Sequence, residues 1–360
     1  MNKETKLWDV CTEPSVREQY LDEAAAVLRA GGLVAFPTET VYGLGGNALD
    51  PSAAAAIYAA KGRPSDNPLI VHIAEVSTLA GIVRQIPPYA GPLMERFWPG
   101  PLTLIFRKQD RVPDQTTGGR DTVAVRLPLS QTARELIKRS GGYIAAPSAN
   151  LSGRPSPTTA DHVIRDMDGR IDGIICGEDC EIGLESTIID CTGERPEILR
   201  PGLIDREQVE ALLRETAQRK TLLPHAEEGV DLTGEARAPG MKYRHYAPRG
   251  SLYLLEGEPA AVRATMRRLA EEQIAKGETV GLIVCEEDIP YLPEFTLVNL
   301  GRRSRPDQIA RHLYMALRRM DELGCTYILA PTFSGRGIGG AIMNRLKKAA
   351  GGRILICRET

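Results

Sequence analysis

The sequence contains 360 residues, with 42% hydrophobic and 26% charged side chains and a formal net charge of −2. This length predicts two domains, because one domain usually holds about 100–200 residues. The near-neutral charge excludes a molecule-wide basic field for nucleic acid, so any anion has to be bound by locally placed arginines and lysines.

The seven cysteines are scattered and form no CxxC pair, which argues against a zinc knuckle or a dithiol redox site. This usage is typical of a reducing compartment, and we expect a cytoplasmic protein. The first residues are polar and no apolar segment follows them, so we expect no secretory signal. No stretch of 18 apolar residues occurs, so we expect no membrane span.

Predicted helices and strands are mixed over about the first 210 residues. Helical patterns cover 16–30, 51–61, 131–139, 159–167 and 206–217. Short apolar segments predict strands at 33–36, 69–73, 102–106, 123–127, 143–146, 173–176 and 187–190. This mixture indicates an α/β sheet covered by helices.

The segment 219–250 lacks sustained periodicity and carries glycine, proline and charge. It is too long for a simple connection inside a compact domain, which leaves a disordered linker or a functional lid. The cluster Lys-Tyr-Arg-His-Tyr-Ala-Pro at 242–248 favours the lid, since linkers rarely gather tyrosine and histidine.

A second α/β pattern follows the linker. Strands are predicted at 251–255, 279–285, 295–300, 327–331 and 353–357, and helices at 260–275, 307–323 and 339–350. These roughly 110 residues have the size of a modest domain, and their alternation predicts a doubly wound sheet.

Two polar clusters come early in the chain. Residues 37–46, Pro-Thr-Glu-Thr-Val-Tyr-Gly-Leu-Gly-Gly, directly follow a predicted strand, and they form either a tight turn or a ligand loop around Thr40. Lys61 and Arg63, with Asn67 close behind, either complement the dipole of the preceding helix or clamp a phosphate. The lone His72 on the next strand is more often a packed residue than a ligand contact.

Arg126 lies inside an otherwise apolar strand pattern, Thr-Val-Ala-Val-Arg-Leu-Pro at 122–128. Arginine is almost never fully buried without a partner. The residues leave two interpretations open: Arg126 pairs with an internal carboxylate, or it faces a cleft and binds a ligand carboxylate.

Two further polar clusters follow predicted strands. Residues 145–157 offer Ser148, Asn150 and Ser156 as short donors, or form an ordinary Ser/Pro/Gly loop. No Gly-x-Ser-x-Gly elbow surrounds Ser148, which argues against a nucleophilic serine. Ser186 begins one strand and Arg200 ends another before a Pro-Gly turn.

Taken in series, these clusters resemble the two-domain threonylcarbamoyl-AMP synthases. The matching motifs are PTETVYGLG, KGRPSDNPLIVHI, AVRLP, PSANLSG, ESTI, LRPG and KYRHYAP, and together they cover nearly the whole chain. The resemblance implies a YrdC-like twisted mixed sheet flanked by helices over 1–218. It implies an active-site lid in the linker 219–250 and a small Rossmann-like doubly wound accessory domain over 251–360.

The resemblance also implies an activity and a site. The enzyme would be a nucleotidyltransferase that joins L-threonine, bicarbonate and ATP, with Mg²⁺ held mainly by phosphates and no covalent nucleophile or metal ligand from the protein. Threonine would be held by Thr40, His72, Arg126, Ala146 and Ser186. ATP would be held by Lys61, Arg63, Asn67, Thr122, Ser148, Asn150, Ser156, Arg200 and Tyr246. His245 would belong to the lid, and Lys61 and Arg63 would position the reacting groups.

The implied partner is a tRNA threonylcarbamoyl transferase, which would use the product to make N6-threonylcarbamoyladenosine at position 37 of tRNAs reading ANN codons. Direct binding of tRNA by this chain would be weak at most. Two rival interpretations are weighed against this one. Gly-Arg-Gly-Ile-Gly-Gly at 335–340 fits a dinucleotide fingerprint, but Glu359 is the one acidic residue left to complete it, and the motif lies in the last βα unit instead of opening one. An RNA-binding or translation-associated protein is disfavoured by the net charge and by the lack of a basic stripe interleaved with aromatic residues.

Overall fold

The computed structural model describes residues 3–216, 237–238 and 245–358. The chain divides into two compact units. The first comprises Met1–Ser152, Ser156–Glu181 and Glu185–Tyr243, and the second comprises Gly153–Pro155, Ile182–Leu184 and Arg244–Thr360. Two three-residue segments of the N-terminal half therefore group with the C-terminal unit. The domain limits 1–218, 219–250 and 251–360 stay a prediction.

The first unit is built on a ten-stranded mixed sheet. Its elements in chain order are β1 (Lys6–Asp9), α1 (Pro14–Arg29), β2 (Val34–Phe36), β3 (Gly43–Asn47), α2 (Pro51–Lys61), β4 (Ile70–His72), α3 (Ala90–Phe97), β5 (Leu102–Arg107), α4 (Asp114–Thr117), β6 (Thr122–Arg126), α5 (Gln131–Arg139), β7 (Ile144–Ala145), α6 (Ala160–Met167), β8 (Gly173–Cys176), β9 (Thr187–Asp190), β10 (Glu197–Arg200) and α7 (Arg206–Glu215). The strand order is β1-β8-β2-β3-β7-β4-β6-β5-β9-β10. Parallel and antiparallel pairs are mixed along this order, which confirms the predicted class of sheet.

The two ends of helix α2 are determined by its local sequence. It begins after Asp50, whose carboxylate accepts a hydrogen bond from the Ser52 amide, and it has proline in its first turn. It ends at Gly62, whose left-handed conformation (φ 61°) is readily adopted only by glycine. Lys61 is thereby held at the last position of the helix, where its side chain is buried.

The glycine-rich segment after Pro37 is the main departure from the predicted elements. Residues 43–47 form strand β3, antiparallel to β2, rather than a turn. A Cβ atom on Gly45 would lie 2.9 Å from side-chain atoms of both Ile144 and Phe36, so the strand has no room for side chains there. Strand β1 and helices α3 and α4 were also missing from the predicted elements, whereas β10 is the predicted strand that ends at Arg200.

The second unit contains a five-stranded, all-parallel sheet. Its elements are β11 (Ser251–Glu256), α8 (Pro259–Ala275), β12 (Val280–Val284), β13 (Leu297–Asn299), α9 (Pro306–Glu322), β14 (Tyr327–Pro331), α10 (Ile338–Ala350) and β15 (Ile354–Ile356). The strand order is β13-β12-β14-β11-β15. Helix α8 packs on the face that carries Leu282 and Val284, whereas Met320 of α9 lies against Gly281 on the other face. Helices on both faces confirm the predicted doubly wound arrangement.

The glycines at 335–340 connect β14 to α10. A side chain on Gly339 would collide with the main-chain oxygen of Ser334, so this glycine lets the start of the helix fold closely over its own loop. Among the described helices none is long and apolar enough to cross a membrane.

Candidate active site

One face of the large sheet gathers polar side chains from three neighbouring strands. In the strand register, His72 of β4 and Thr103 of β5 both lie opposite Arg126 of β6. Residues opposite each other on adjacent strands point to the same face. His72, Thr103 and Arg126 are therefore side by side, and all three are buried.

Arg126 is held from three directions. Its Nη2 donates to Oε1 of Glu39 at 2.6 Å, its Nη1 to Oγ1 of Thr40 at 2.8 Å, and its Nε to the Gly100 main-chain oxygen at 3.3 Å. The side chains of Arg126 and Glu39 are only 5% and 4% exposed. The internal carboxylate partner that the sequence left open is thus present, and it is Glu39.

Glu39 was missed as a functional residue by the sequence analysis. Its second carboxylate oxygen, Oε2, is buried and has no hydrogen-bond partner among the residues that the structure describes. A buried carboxylate oxygen without a partner is costly and calls for an explanation. The sequence did contain a signal for this pair. Arg126 inside an apolar strand needs a carboxylate partner, and Glu39 is an acidic residue next to the predicted site residue Thr40.

His72 is uncharged in this environment. Burial, and next the positive charge of Arg126, lower its pKa from 6.5 to about 3. Its Nδ1 lies 3.1 Å from the Ile70 main-chain oxygen, and because a carbonyl oxygen can only accept a hydrogen bond, this contact favours the neutral tautomer with hydrogen on Nδ1. A neutral His72 with its hydrogen on Nδ1 has Nε2 as an acceptor and adds no second cation beside Arg126.

A second arginine contacts the same face through Ser186. Arg200 donates from Nη2 to Ser186 Oγ at 3.1 Å and from Nε to the Ser186 main-chain oxygen at 3.0 Å. Ser186 Oγ also lies 2.7 Å from Oγ1 of Thr103. The hydroxyl of Ser186 therefore connects Arg200 to the strand that borders Arg126.

Lys61 links the end of α2 to the loop after β7. Its buried Nζ donates to the main-chain oxygens of Ser148 and of Asn150, the latter at 2.5 Å. Ser148 in turn forms a bridge with Gly43 at the start of β3. Two of the clusters predicted to bind nucleotide are thereby brought into direct contact.

Asn67 is fully buried, and neither its amide oxygen nor its amide nitrogen has a partner among the described residues. Arg63 binds the main-chain oxygens of Asn67 and Pro68, at 3.3 and 3.2 Å from its Nη2. The Asn67 backbone is fixed while its amide group is left with unused donors and acceptor. This is the arrangement expected of a group that bonds a ligand.

The remaining predicted residues border the same sheet. Ser156 donates to Glu185 Oε1 at 2.6 Å. The Ala146 amide donates to the Ile70 main-chain oxygen at 2.9 Å. Thr122 is the first residue of β6. It precedes Arg126 by four positions, so the side chains of the two residues point to the same face of the sheet.

An apolar area adjoins these polar groups. Ile70, Ile105, Ala124, Ile188 and Leu199 form a small buried cluster that also contains Ala238. Arg237, the neighbour of Ala238, binds Asp190 at 2.5 Å and Glu197 at 2.9 Å. Two residues of the predicted linker are therefore anchored on the site-bearing sheet. Residues 219–236 and 239–244 of the predicted lid lie outside the described residues.

The two lid residues named from the sequence, His245 and Tyr246, belong to the second unit. Tyr246 has a positive φ of 66° and stacks on Tyr314 with ring centroids 5.3 Å apart. The guanidinium of Arg345 lies 5.8 Å from the centre of the Tyr246 ring. Packing around Tyr246 compensates a backbone conformation that non-glycine residues rarely adopt.

Comparison with known proteins decides the family. The Sua5/YciO/YrdC family model, described as telomere recombination, matches residues 26–202. The model for the threonylcarbamoyl-AMP synthase C-terminal domain matches residues 204–351. Threonylcarbamoyl-AMP synthase of Bacillus subtilis is 46% identical over 98% of this chain and 99% of its own. The chain belongs to the threonylcarbamoyl-AMP synthase family.

Solved structures agree with this assignment. Pyrococcus abyssi Sua5 in complex with L-threonine is 45% identical, covers 95% of this chain and 97% of its own, and superimposes with a TM-score of 0.86. A doubly substituted variant of the same archaeal protein gives a TM-score of 0.88 over 99% of both chains, at 42% identity. Threonylcarbamoyl-AMP synthases of this two-domain kind are nucleotidyltransferase-like enzymes, and this chain is one of them.

Within this synthase the predicted site residues fall into connected groups in the first unit. Thr40 and Arg126 bond directly, His72 is in register with Arg126, and Ser186 joins Arg200. Lys61 contacts the loop of Ser148 and Asn150. Within residues 3–216, 237–238 and 245–358 no group of three or more His, Cys, Asp or Glu side chains could hold a metal ion.

Proposed function

We propose that this chain forms threonylcarbamoyl-AMP and pyrophosphate from L-threonine, bicarbonate and ATP. The observation that carries the proposal is the buried, ligand-ready face around Arg126 in a chain 46% identical over its length to a named threonylcarbamoyl-AMP synthase. The structure of a relative at 45% identity in complex with L-threonine supports the choice of amino acid.

In the proposed complex, Arg126 receives the threonine carboxylate. Its guanidinium is planar and permanently charged, and it retains donors beyond the bonds to Glu39, Thr40 and Gly100. Neutral His72 and the hydroxyls of Thr40 and Ser186 offer partners for the threonine hydroxyl. The backbone at Ala146 closes the threonine site.

We assign ATP to the remaining polar residues that the resemblance names. The nucleotide contacts would come from Lys61, Arg63, Asn67, Thr122, Ser148, Asn150, Ser156 and Arg200, and from Tyr246 of the predicted lid segment, which His245 precedes. The unsatisfied amide of Asn67 supports this assignment, because a ligand group would supply its missing bonds. Buried Lys61 supplies a point charge for phosphate oxygens.

The chemistry needs positioning and charge neutralisation rather than a protein nucleophile. Bicarbonate and the threonine amine give N-carboxythreonine and water. The new carboxylate attacks the α-phosphorus of ATP, and pyrophosphate leaves with the electron pair of the broken bond. Lys61, Arg63 and Arg200 would stabilise the charge that develops on the phosphates. Mg²⁺ would neutralise phosphate charge and be bound mainly by the phosphates themselves, since carboxylate cages are not typical of Mg²⁺–nucleotide sites.

The product would be consumed by a tRNA threonylcarbamoyl transferase acting at adenosine 37, in the cytoplasm. Direct contact of this chain with tRNA is not required by the proposal. The test is pyrophosphate release from ATP by the full chain, with threonine or bicarbonate omitted in turn. Release that requires both supports the synthase. Release that is independent of threonine would point to a different ATP-hydrolysing activity.

A further inference from the structure

The carboxylate of Glu39 is only half used by its hydrogen bond to Arg126. Its side chain is buried, and Oε1 bonds Nη2 of Arg126 at 2.6 Å. The other oxygen, Oε2, is buried and has no partner within the described part of the chain. A carboxylate that served only to neutralise Arg126 would be expected to satisfy both of its oxygens.

The surroundings of Glu39 favour a small zwitterionic ligand, which carries one positive and one negative charge. An α-amino acid carries its cation and its anion on neighbouring atoms, so a matching site needs an anion and a cation side by side. Arg126 and Glu39 form such a pair, and Thr40, which bonds Arg126 at 2.8 Å, directly follows Glu39. Charge-assisted hydrogen bonds to both ends of a zwitterion are stronger and more selective than neutral ones.

We propose that Glu39 is the residue that recognises the α-amino group of the substrate, with Oε2 as the acceptor. This inference rests on the proposed function, and it adds a specificity-determining residue to it. Arg126 and Glu39 neutralise each other in the ligand-free protein. When the zwitterion binds, its carboxylate pairs with Arg126 and its ammonium group pairs with Glu39, so no buried charge is left unpaired. An acid that lacks the amine would satisfy Arg126 but leave Oε2 unsatisfied, and the site would reject it.

The test compares two ligands that differ only in the amine. L-threonine and (R)-3-hydroxybutanoate share the carboxylate and the hydroxyl, and equilibrium binding of each is measured by calorimetry on the full chain. The wild type is expected to bind L-threonine at least about tenfold more tightly, the effect of one charge-assisted bond. Discrimination below about threefold would overturn the proposal without any variant.

Glu39→Gln then isolates the charge at constant shape. We expect the affinity for L-threonine to fall by about tenfold or more, with the affinity for 3-hydroxybutanoate unchanged or higher because Arg126 loses its competitor. Glu39→Asp keeps the charge and is expected to restore part of the discrimination. Exposed Glu95→Gln, in helix α3, is the matched control and should behave as the wild type.

The outcomes separate the two claims. Equal loss of both ligands in Glu39→Gln would show that Glu39 only supports Arg126, and it would overturn the inference while leaving the proposed function intact. Unchanged threonine binding in Glu39→Gln would do the same. A wild type that binds no L-threonine at all would overturn the proposed function itself, together with the inference.

Discussion

The Nζ atom of Lys61 lies 2.5 Å from the main-chain oxygen of Asn150, although the two residues are 89 positions apart in the chain. The end of helix α2 is thereby tied to the loop after β7, and a buried ammonium is presented where we place the nucleotide. Burial of a cation is costly unless the cation is hydrogen-bonded, and this contact supplies such a bond. We therefore expect Lys61 both to connect the two segments and to bind phosphate.

Lys61→Met removes the charge and keeps most of the volume. We expect kcat/KM for ATP to fall by about 100-fold or more, the effect typical of losing one preorganised group that stabilises transition-state charge. Steady-state pyrophosphate release measures it, with exposed Lys276→Met as the control. Activity within a fewfold of the wild type would remove Lys61 from the phosphate site.

Asn67→Leu separates stability from ligand binding. Because the buried amide of Asn67 has no partner among described residues, replacing it with an apolar group of similar size removes a desolvation cost of about 1–3 kcal/mol. We expect the ligand-free variant to melt at the same temperature or higher, and to lose the thermal stabilisation that ATP gives the wild type. Thermal unfolding with and without ATP checks both. A lower melting temperature with an intact ATP shift would contradict our view of Asn67.

Stability should depend on pH through His72. Its folded-state pKa of about 3 lies below the ordinary value of 6.5, so the unfolded chain binds more protons between these values. The contribution is fully present above pH 6.5 and is lost as the pH falls towards 3. We expect His72→Asn to have a flatter profile than the wild type over this window. Denaturant unfolding at several pH values gives the difference, and parallel profiles would show that His72 is not the group responsible.

Gly45→Ala tests the tight packing of β3. The added methyl group would stand 2.9 Å from side-chain atoms of Ile144 and Phe36, and overpacking of this kind costs about 1–3 kcal/mol. Gly91→Ala is the matched control, because a Cβ atom there meets nothing within 4 Å inside helix α3, where alanine is the better helix former. Urea unfolding should show Gly45→Ala destabilised and Gly91→Ala unchanged or more stable. Equal stability of both variants would contradict the packing argument.

The sequence predicted the α/β class and most helices because their apolar periodicity is strong and their ends carry proline and glycine signals, as in α2. It could not predict β3, since a strand of glycines has no alternation to detect and is required only by the closeness of Phe36 and Ile144. Nor could the residue pattern decide whether Arg126 pairs with an internal carboxylate or faces a ligand. The internal carboxylate is that of Glu39, which is 87 residues away in the chain.

The anchoring of Arg237 and Ala238 was equally beyond the sequence. Nothing local marks an alanine as a core residue of a sheet built from β4, β5, β6, β9 and β10. The two carboxylates that hold Arg237, Asp190 and Glu197, come together only through the pairing of β9 with β10. Arg237 is 47 and 40 residues away from these two carboxylates, and a contact over that distance leaves no local pattern.

The most direct test of the account follows carbon from labelled bicarbonate. The full chain is incubated with ATP, Mg²⁺, L-threonine and ¹³C-bicarbonate, and the products are separated and analysed by mass spectrometry alongside pyrophosphate. We predict one labelled adduct that contains both threonine and AMP, formed in equal amount to pyrophosphate and absent when Arg126 is replaced by alanine. Pyrophosphate release without label in a threonine-containing adduct would contradict the central claim.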